Sequence, residues 1–414
     1  MGEAQDYFTR ALTLTENLDD IVEQARMWWI IAGTQIGMSA TDEARDTLRT
    51  AWGHLKKSVT EQKVSGFTLN RLLGYVAEIV GLQRQLGMST EIEEAIQAAK
   101  TLAEAEPKPT PLFDLFSYDP DSSLAQILAK AGRTKEAFEM AEKLPAGMTR
   151  TVTLKELCAV QIAMGEIQQA RRTIDLVSPL ESVEMLTGLT VTRPEYMAEV
   201  KTLLDQIEAE AMAKQPIGIN QQDIVSFALR IEKVARSLTR LASAQAERGQ
   251  RDAAHRDLAK ALDLATKPHT GTIRAHVCRG IAEAYWNAGF QQEARNLIGR
   301  LRQDAINEGP TSGIPKLFAL TQLQIRLRLV EEAQETLKKL SVALKEFNES
   351  PHTRVHHSDK KIAEMQERYQ GYLNYATAML QAKTGKETQA LALAEKLQPP
   401  DQIQLLAWMA KETT

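Results

Sequence analysis

One phrase recurs along this chain and constrains its fold more than any other feature: an apolar helical stretch, a glycine, four mostly polar residues, an alanine, and a second apolar helical stretch. It stands with Gly132 and Ala137, Gly165 and Ala170, Gly249 and Ala254, Gly289 and Ala294, and Gly385 and Ala390, always at an offset of five. A sixth copy carries Arg328 in place of the glycine with Ala333 in register, and two looser copies pair Gly37 with Ala44 and Gly87 with Ala95. A glycine just past a helix end adopts the left-handed conformation that closes the helix. The alanine is small because two antiparallel helices cross there. Apolar residues follow at three- and four-residue spacing, as in Ala254, Leu258, Ala261 and Leu262, and precede the glycine in the same way, as in Leu238, Leu241, Ala242 and Gln245. Each phrase is therefore an αα-hairpin with one apolar face per helix.

Composition agrees with this. The 414 residues are 43% hydrophobic but only 5% aromatic, and Ala, Leu, Glu, Gln, Lys and Arg dominate over β-branched runs. A chain of this length and apolar content buries a large core, which excludes disorder and disulfide scaffolds. Cys158 and Cys278 lie inside apolar helical patterns and read as buried core thiols. The 50 basic and 54 acidic residues give a formal charge of −4 with no basic tail, which disfavours nucleic acid and anionic membranes as partners. No secretory signal or membrane-length apolar run is visible, so the chain reads as cytoplasmic by default.

The interval between the turns at Gly165 and Gly249 is about twice the others and predicts a hidden hairpin, with one helix over 195–214 carrying Val200, Leu204, Ile207 and Ala211 at helical period. Thr192 and Pro194 supply its start signal. Breaks are expected at 107–121, which holds four prolines, at 215–220 with Pro216 and Gly218, and at 348–358, after which Ser358 caps a long helix through Lys383. These divide the chain into degenerate hairpins over 1–106, hairpins plus an irregular helix over 107–214, and more regular hairpins over 221–414 with a terminal helix around 403–409 that caps the array or docks on a partner.

The Gly/Ala pairs, with small residues such as Ala125, Cys158, Ala242, Ala282 and Ala378 in the middle of the preceding helix, resemble the tetratricopeptide repeat family over most of the chain. The period is usually longer than that family's roughly 34 residues and the closing prolines are irregular. The resemblance implies an all-α, right-handed α-α superhelix, a solenoid of about eight or nine hairpins. It also implies that the first helices of successive hairpins line a concave surface that holds a partner segment. The positions so nominated are Arg236, then His276, Arg279, Glu283, Trp286 and Asn287, then Phe318, Gln322 and Arg326, then Tyr372, Tyr375 and Met379. Arg and aromatic residues are common interface anchors.

Motifs for chemistry are missing. There is no phosphate loop, no nucleophile elbow and no H-E-x-x-H among the seven histidines. His352, His356, His357 and Asp359 form the one His-dense segment, which reads as a solvated loop rather than a metal site. A helical (α/α)6 barrel acting on carbohydrate needs two acids in an aromatic-lined cleft. Glu93/Glu94 and Glu331/Glu332 instead fall near the starts of second helices, where acids favour the helix dipole. The expectation is a non-enzymatic protein-protein interaction scaffold without cofactor or metal, binding a partner peptide or protein. The barrel enzyme and a ligand-sensing regulatory domain of a longer protein are the alternatives.

Overall fold

The computed structural model describes residues 2–60, 66–105, 119–213, 221–266, 271–349 and 358–413. They form the helices α1 (Gly2–Glu16), α2 (Ile21–Gly37), α3 (Thr41–Thr60), α4 (Gly66–Gln85), α5 (Ser89–Ala105), α6 (Pro120–Lys130), α7 (Thr134–Lys143), α8 (Met148–Ala163), α9 (Ile167–Ile174) and α10 (Pro179–Thr192). After a 3-10 turn (Pro194–Tyr196) come α11 (Met197–Ala213), α12 (Gln221–Glu247), α13 (Arg251–Ala265), α14 (Gly271–Asn287), α15 (Gln291–Asn307), α16 (Pro310–Arg326), α17 (Val330–Glu349), α18 (Asp359–Lys383), α19 (Glu387–Ala394) and α20 (Pro399–Glu412). No strand occurs among the described residues. The fold is all-α, an array of helical hairpins, and none of its described helices is long and apolar enough to cross a membrane.

The turns show why the recurring phrase works. In eight of them a residue with positive φ follows the first helix: Ser39, Gly87, Gly132, Gly165, Gly249, Gly289, Arg328 and Gly385. The next residue's N–H then reaches back to the carbonyl five positions earlier, as from Arg133 to Leu128 and from Glu166 to Gln161, closing a Schellman motif. In six of the eight turns that carbonyl belongs to a glutamine: Gln35, Gln83, Gln161, Gln245, Gln324 or Gln381. Five residues after the left-handed position, Ala44, Ala137, Ala170, Ala254, Ala294, Ala333 and Ala390 have no exposed surface. The first turn corrects the sequence reading. Gly37 is still helical, and Ser39 takes the left-handed position, which restores the offset of five to Ala44. In the Gly87 turn the crossing slot is filled by Ile92.

The chain divides into two units, 1–178 with 398–414, and 179–397. In the first, the hairpins α2–α3, α4–α5, α6–α7 and α8–α9 stack through their first helices, α2 on α4, α4 on α6 and α6 on α8. The terminal helix α20 belongs to this unit, packing on α1 and α2. Ile403, Leu405 and Leu406 of α20 are fully buried, as are Ala11 and Thr15 of α1. The two chain ends thus make a further hairpin without a connecting turn. In the second unit, α10–α11, α12–α13, α14–α15, α16–α17 and α18–α19 stack in the same way. The pair α10–α11 is the hairpin hidden in the long interval, with Val200, Leu204, Ile207 and Ala211 buried.

The unit boundaries differ from the sequence division at 107 and 221. They fall beside Pro179 and Gln398 because α10 packs on α11 and α12, and α20 returns to the first two helices. Of the expected break at 107–121, residues 107–118 lie outside the described residues, while Asp119 caps α6 and Pro120 and Asp121 already belong to it; the break at 215–220 lies outside them altogether. So do residues 350–357, and with them His352, His356 and His357, while Asn348 belongs to α17 and Ser358 caps α18 by accepting from the Lys361 N–H at 3.3 Å. Cys158 and Cys278 are both buried and form no disulfide, and burial pushes the Cys158 thiol up to about 12.

Candidate partner-binding groove

Three consecutive first helices of the second unit, α12, α14 and α16, lie side by side. The helical period then decides which residues share one surface. Positions 276, 279, 280 and 283 of α14 and positions 319, 322, 323 and 326 of α16 follow the same i, i+3, i+4, i+7 register. With Arg236, Thr239 and Arg240 of α12 they line one groove of about 410 Å³, floored by the buried Val277 and Leu323. Six nominated residues meet there: Arg236, His276, Arg279, Glu283, Gln322 and Arg326. At Gly280 an added Cβ would have nothing within 4 Å, so this helical glycine leaves the groove open at its middle.

The groove is basic, and its charges are unequally satisfied. Arg236 pairs with Glu232 at 2.6 Å, one turn away on its own helix, and Arg326 of α16 pairs with Glu283 of α14 at 3.3 Å. Arg279 instead donates to His276 Nδ1 at 3.1 Å and meets no carboxylate at ion-pair distance among the described residues. Burial lowers the Arg279 pKa, the Arg326 charge lowers it further, and Glu283 opposes them. Burial likewise lowers His276, with Arg236 and Arg279 adding to the effect against Glu232. His276 therefore accepts at Nδ1 as a neutral ring, and the local field is positive.

A second cavity of about 790 Å³ opens between α14, the end of α15 and the start of α16, and it shares His276, Arg279 and Ala319 with the groove. Its wall is apolar at Leu301, Pro315 and Leu320 and acidic at Asp304 and Glu308, with Lys316 bonded to Glu308. The first helices of the other unit carry a different pattern. Lys130 of α6 lies 2.9 Å from Glu78 of α4 and 3.2 Å from Glu156 of α8. Burial works against its charge, but the two carboxylates more than offset that and raise its pKa, so the row satisfies itself.

The remaining nominated residues lie elsewhere. Trp286, near the end of α14, has the Arg295 guanidinium of its own hairpin 5.7 Å from its ring, and Asn287 beside it ends the helix, exposed. Phe318 stacks on Tyr372 with centroids 4.4 Å apart and meets Tyr375 edge-on at 6.0 Å, so these rings pack α16 against α18. Met379 is buried. The groove adds Thr239, Arg240, Gly280, Ala319 and Leu323, which the same helical register around Arg236, Arg279 and Gln322 would have indicated.

No protein-family model and no curated protein matches the chain. Among solved structures it is similar to a circular tandem repeat protein with novel repeat topology and enhanced subunit contact surfaces, at 12% identity over 99% of both chains with a TM-score of 0.31. It is also similar to a monomeric mutant of IFIT1 with Gppp-AAAA, at 15% identity over 95% of this chain and 94% of that one, with a TM-score of 0.26.

Proposed function

We propose that this chain is a non-enzymatic interaction module whose second unit receives a segment of a partner protein in the groove of α12, α14 and α16. The observation that carries this reading is the convergence of Arg236, His276, Arg279, Glu283, Gln322 and Arg326, drawn from three successive hairpins, on one open surface. Repeated first helices present side chains at regular intervals along such a surface, which suits an extended or helical segment better than a compact substrate. A half-buried arginine with no carboxylate partner beside paired ones supplies orientation and specificity.

The test compares affinity capture from lysate by the unaltered chain, by a triple variant Arg236→Ala/Arg279→Ala/Arg326→Ala, and by Trp286→Ala. Loss of a protein partner from the triple variant alone, with unchanged circular dichroism, supports the groove. Retention of every partner by the folded triple variant removes it. Binding of single-stranded RNA that disappears in the triple variant, with no protein partner lost, would replace the protein reading by a nucleic-acid one.

A further inference from the structure

We infer that the segment bound in this groove carries an internal side-chain carboxylate beside a bulky apolar residue, the carboxylate lying on Arg279 and the apolar side chain entering the adjoining cavity. The inference rests on the groove being a protein-binding site and adds the chemistry of its occupant. Three of the four arginines in the groove are not candidates for the anchor: Arg236 and Arg326 already hold Glu232 and Glu283, and Arg240 is exposed on the rim. Arg279 is partly withdrawn from water, takes only a ring nitrogen of His276 among the described residues, and lines both cavities. A guanidinium so placed gains most from a planar, charged acceptor, because a desolvated donor without an ionic partner carries an uncompensated cost.

Charge then orders the two side chains. Lys316 in the second cavity is already bonded to Glu308 and so offers an incoming acid no unpaired cation, whereas Leu301, Leu320 and Pro315 favour an apolar group. The acid therefore lies on the groove side of the shared His276–Arg279 wall and the apolar residue on the other. Because one wall separates the two sites, the two side chains come from positions a short step apart, two residues in an extended segment or three to four in a helical one.

The test uses the full chain on an array of N-acetylated, C-terminally amidated peptides, so that no terminal carboxylate contributes. Each peptide carries Asp, Asn or Lys at one position and Phe, Leu or Ala two to four residues away, in a Gly/Ser background. The expected result is preference for Asp over Asn by about tenfold, with Phe and Leu favoured over Ala. Arg279→Ala should abolish the Asp preference and keep the apolar one, Arg279→Glu should transfer preference to Lys, and Ala275→Trp, which fills the second cavity, should do the reverse of Arg279→Ala. If Ala275→Trp does not fold, the Phe-against-Ala comparison on the unaltered chain decides the apolar half. Equal binding of Asp and Asn peptides, or an Asp preference that survives Arg279→Ala, overturns this inference and leaves the groove in place. An array on which no peptide binds overturns both.

Discussion

Thr173 of α9 places its hydroxyl 2.8 Å from Gln161 Oε1 of α8, donating across the hairpin between two fully buried side chains. The same glutamine's carbonyl accepts the N–H of Glu166 that closes the turn. In the α12–α13 hairpin, Gln245 Nε2 donates to Asp257 Oδ2 at 2.8 Å from the equivalent positions. In these two hairpins one side chain thus links the turn to the helix crossing, whereas Gln324, buried opposite Thr336, makes no such contact among the described residues. Thr173→Val keeps the shape and removes the donor, leaving a buried amide oxygen unpaired. Urea denaturation should show a loss of about 1–2 kcal/mol, against a small change for Thr101→Val on the exposed face of α5. Equal losses for the two variants would show that the contact contributes nothing.

The converse is expected at Gln83, which is fully buried and whose side-chain nitrogen and oxygen both find no hydrogen-bond partner among the described residues. Its counterpart across the hairpin, twelve residues on, is Ala95, which has no polar group to offer. Gln83→Met retains the volume and removes the unpaired amide, so stability should rise by about 1 kcal/mol. A lower denaturation midpoint for this variant would mean that the amide has a partner in solution.

The turn residues were the most readable part of the fold, because a left-handed backbone position writes itself as glycine wherever strain is not tolerated. Where it is tolerated the signal fails: the sequence points to Gly37 although Ser39 takes the left-handed position, and within the hidden hairpin it locates α11 but gives no bounds for α10, because a 3-10 turn, not a glycine, joins the two. The pairing of α20 with α1 is invisible to periodicity, which shows that Ile403, Leu406 and Met409 share an apolar face but not which distant helix covers it. At the groove, register located the arginines. It did not separate Arg279 from Arg236 and Arg326, since that difference lies in which carboxylates come within reach from neighbouring turns and helices.

Arg328 holds a left-handed conformation with φ 60, a place taken by glycine in six of the other turns, while Gly132 has φ 86. A non-glycine residue there costs about 1–2 kcal/mol of backbone strain. Arg328→Gly should therefore raise stability by up to about 1 kcal/mol, part of the relief being offset by the greater freedom of glycine in the unfolded chain. Gly132→Ala should lower it by about 1–2 kcal/mol, and its new Cβ would also press on Arg84 Cδ at 3.3 Å. Thermal melts of the two single variants should move in opposite directions; a shift in the same direction would refute the strain argument.

Asp401 in the first turn of α20 has its pKa raised by burial, with Arg26 of α2 opposing the shift and Glu23 adding to it. A carboxyl raised on folding is more stable protonated, so its contribution is present in full below the unfolded value of about 3.9 and is lost as pH rises through the higher folded value. The docking of α20 on α1 and α2 is then slightly weakened at neutral pH. Asp401→Asn should protect the amides of α20 from hydrogen exchange at pH 7, by less than about 1 kcal/mol, and have no effect near pH 3.5. Unchanged exchange at pH 7 would show that Arg26 compensates the carboxylate fully.

Gly280 provides a way to close the groove without touching its charges. It is helical, has ordinary φ, and a Cβ there would meet nothing within 4 Å, so a side chain would project into open space among Arg236, Arg279 and Arg326. Gly280→Ala should stabilise the chain by about 0.5–1 kcal/mol through the gain in helix propensity and leave partner capture intact. Gly280→Trp should leave the melting temperature at or above that of the unaltered chain, because glycine is the poorest helix former after proline, yet abolish capture by occupying the space a bound segment needs. The pair separates occupancy from folding, as both variants remove the same glycine and only one fills the groove. Full capture by Gly280→Trp would place the binding surface outside α12, α14 and α16.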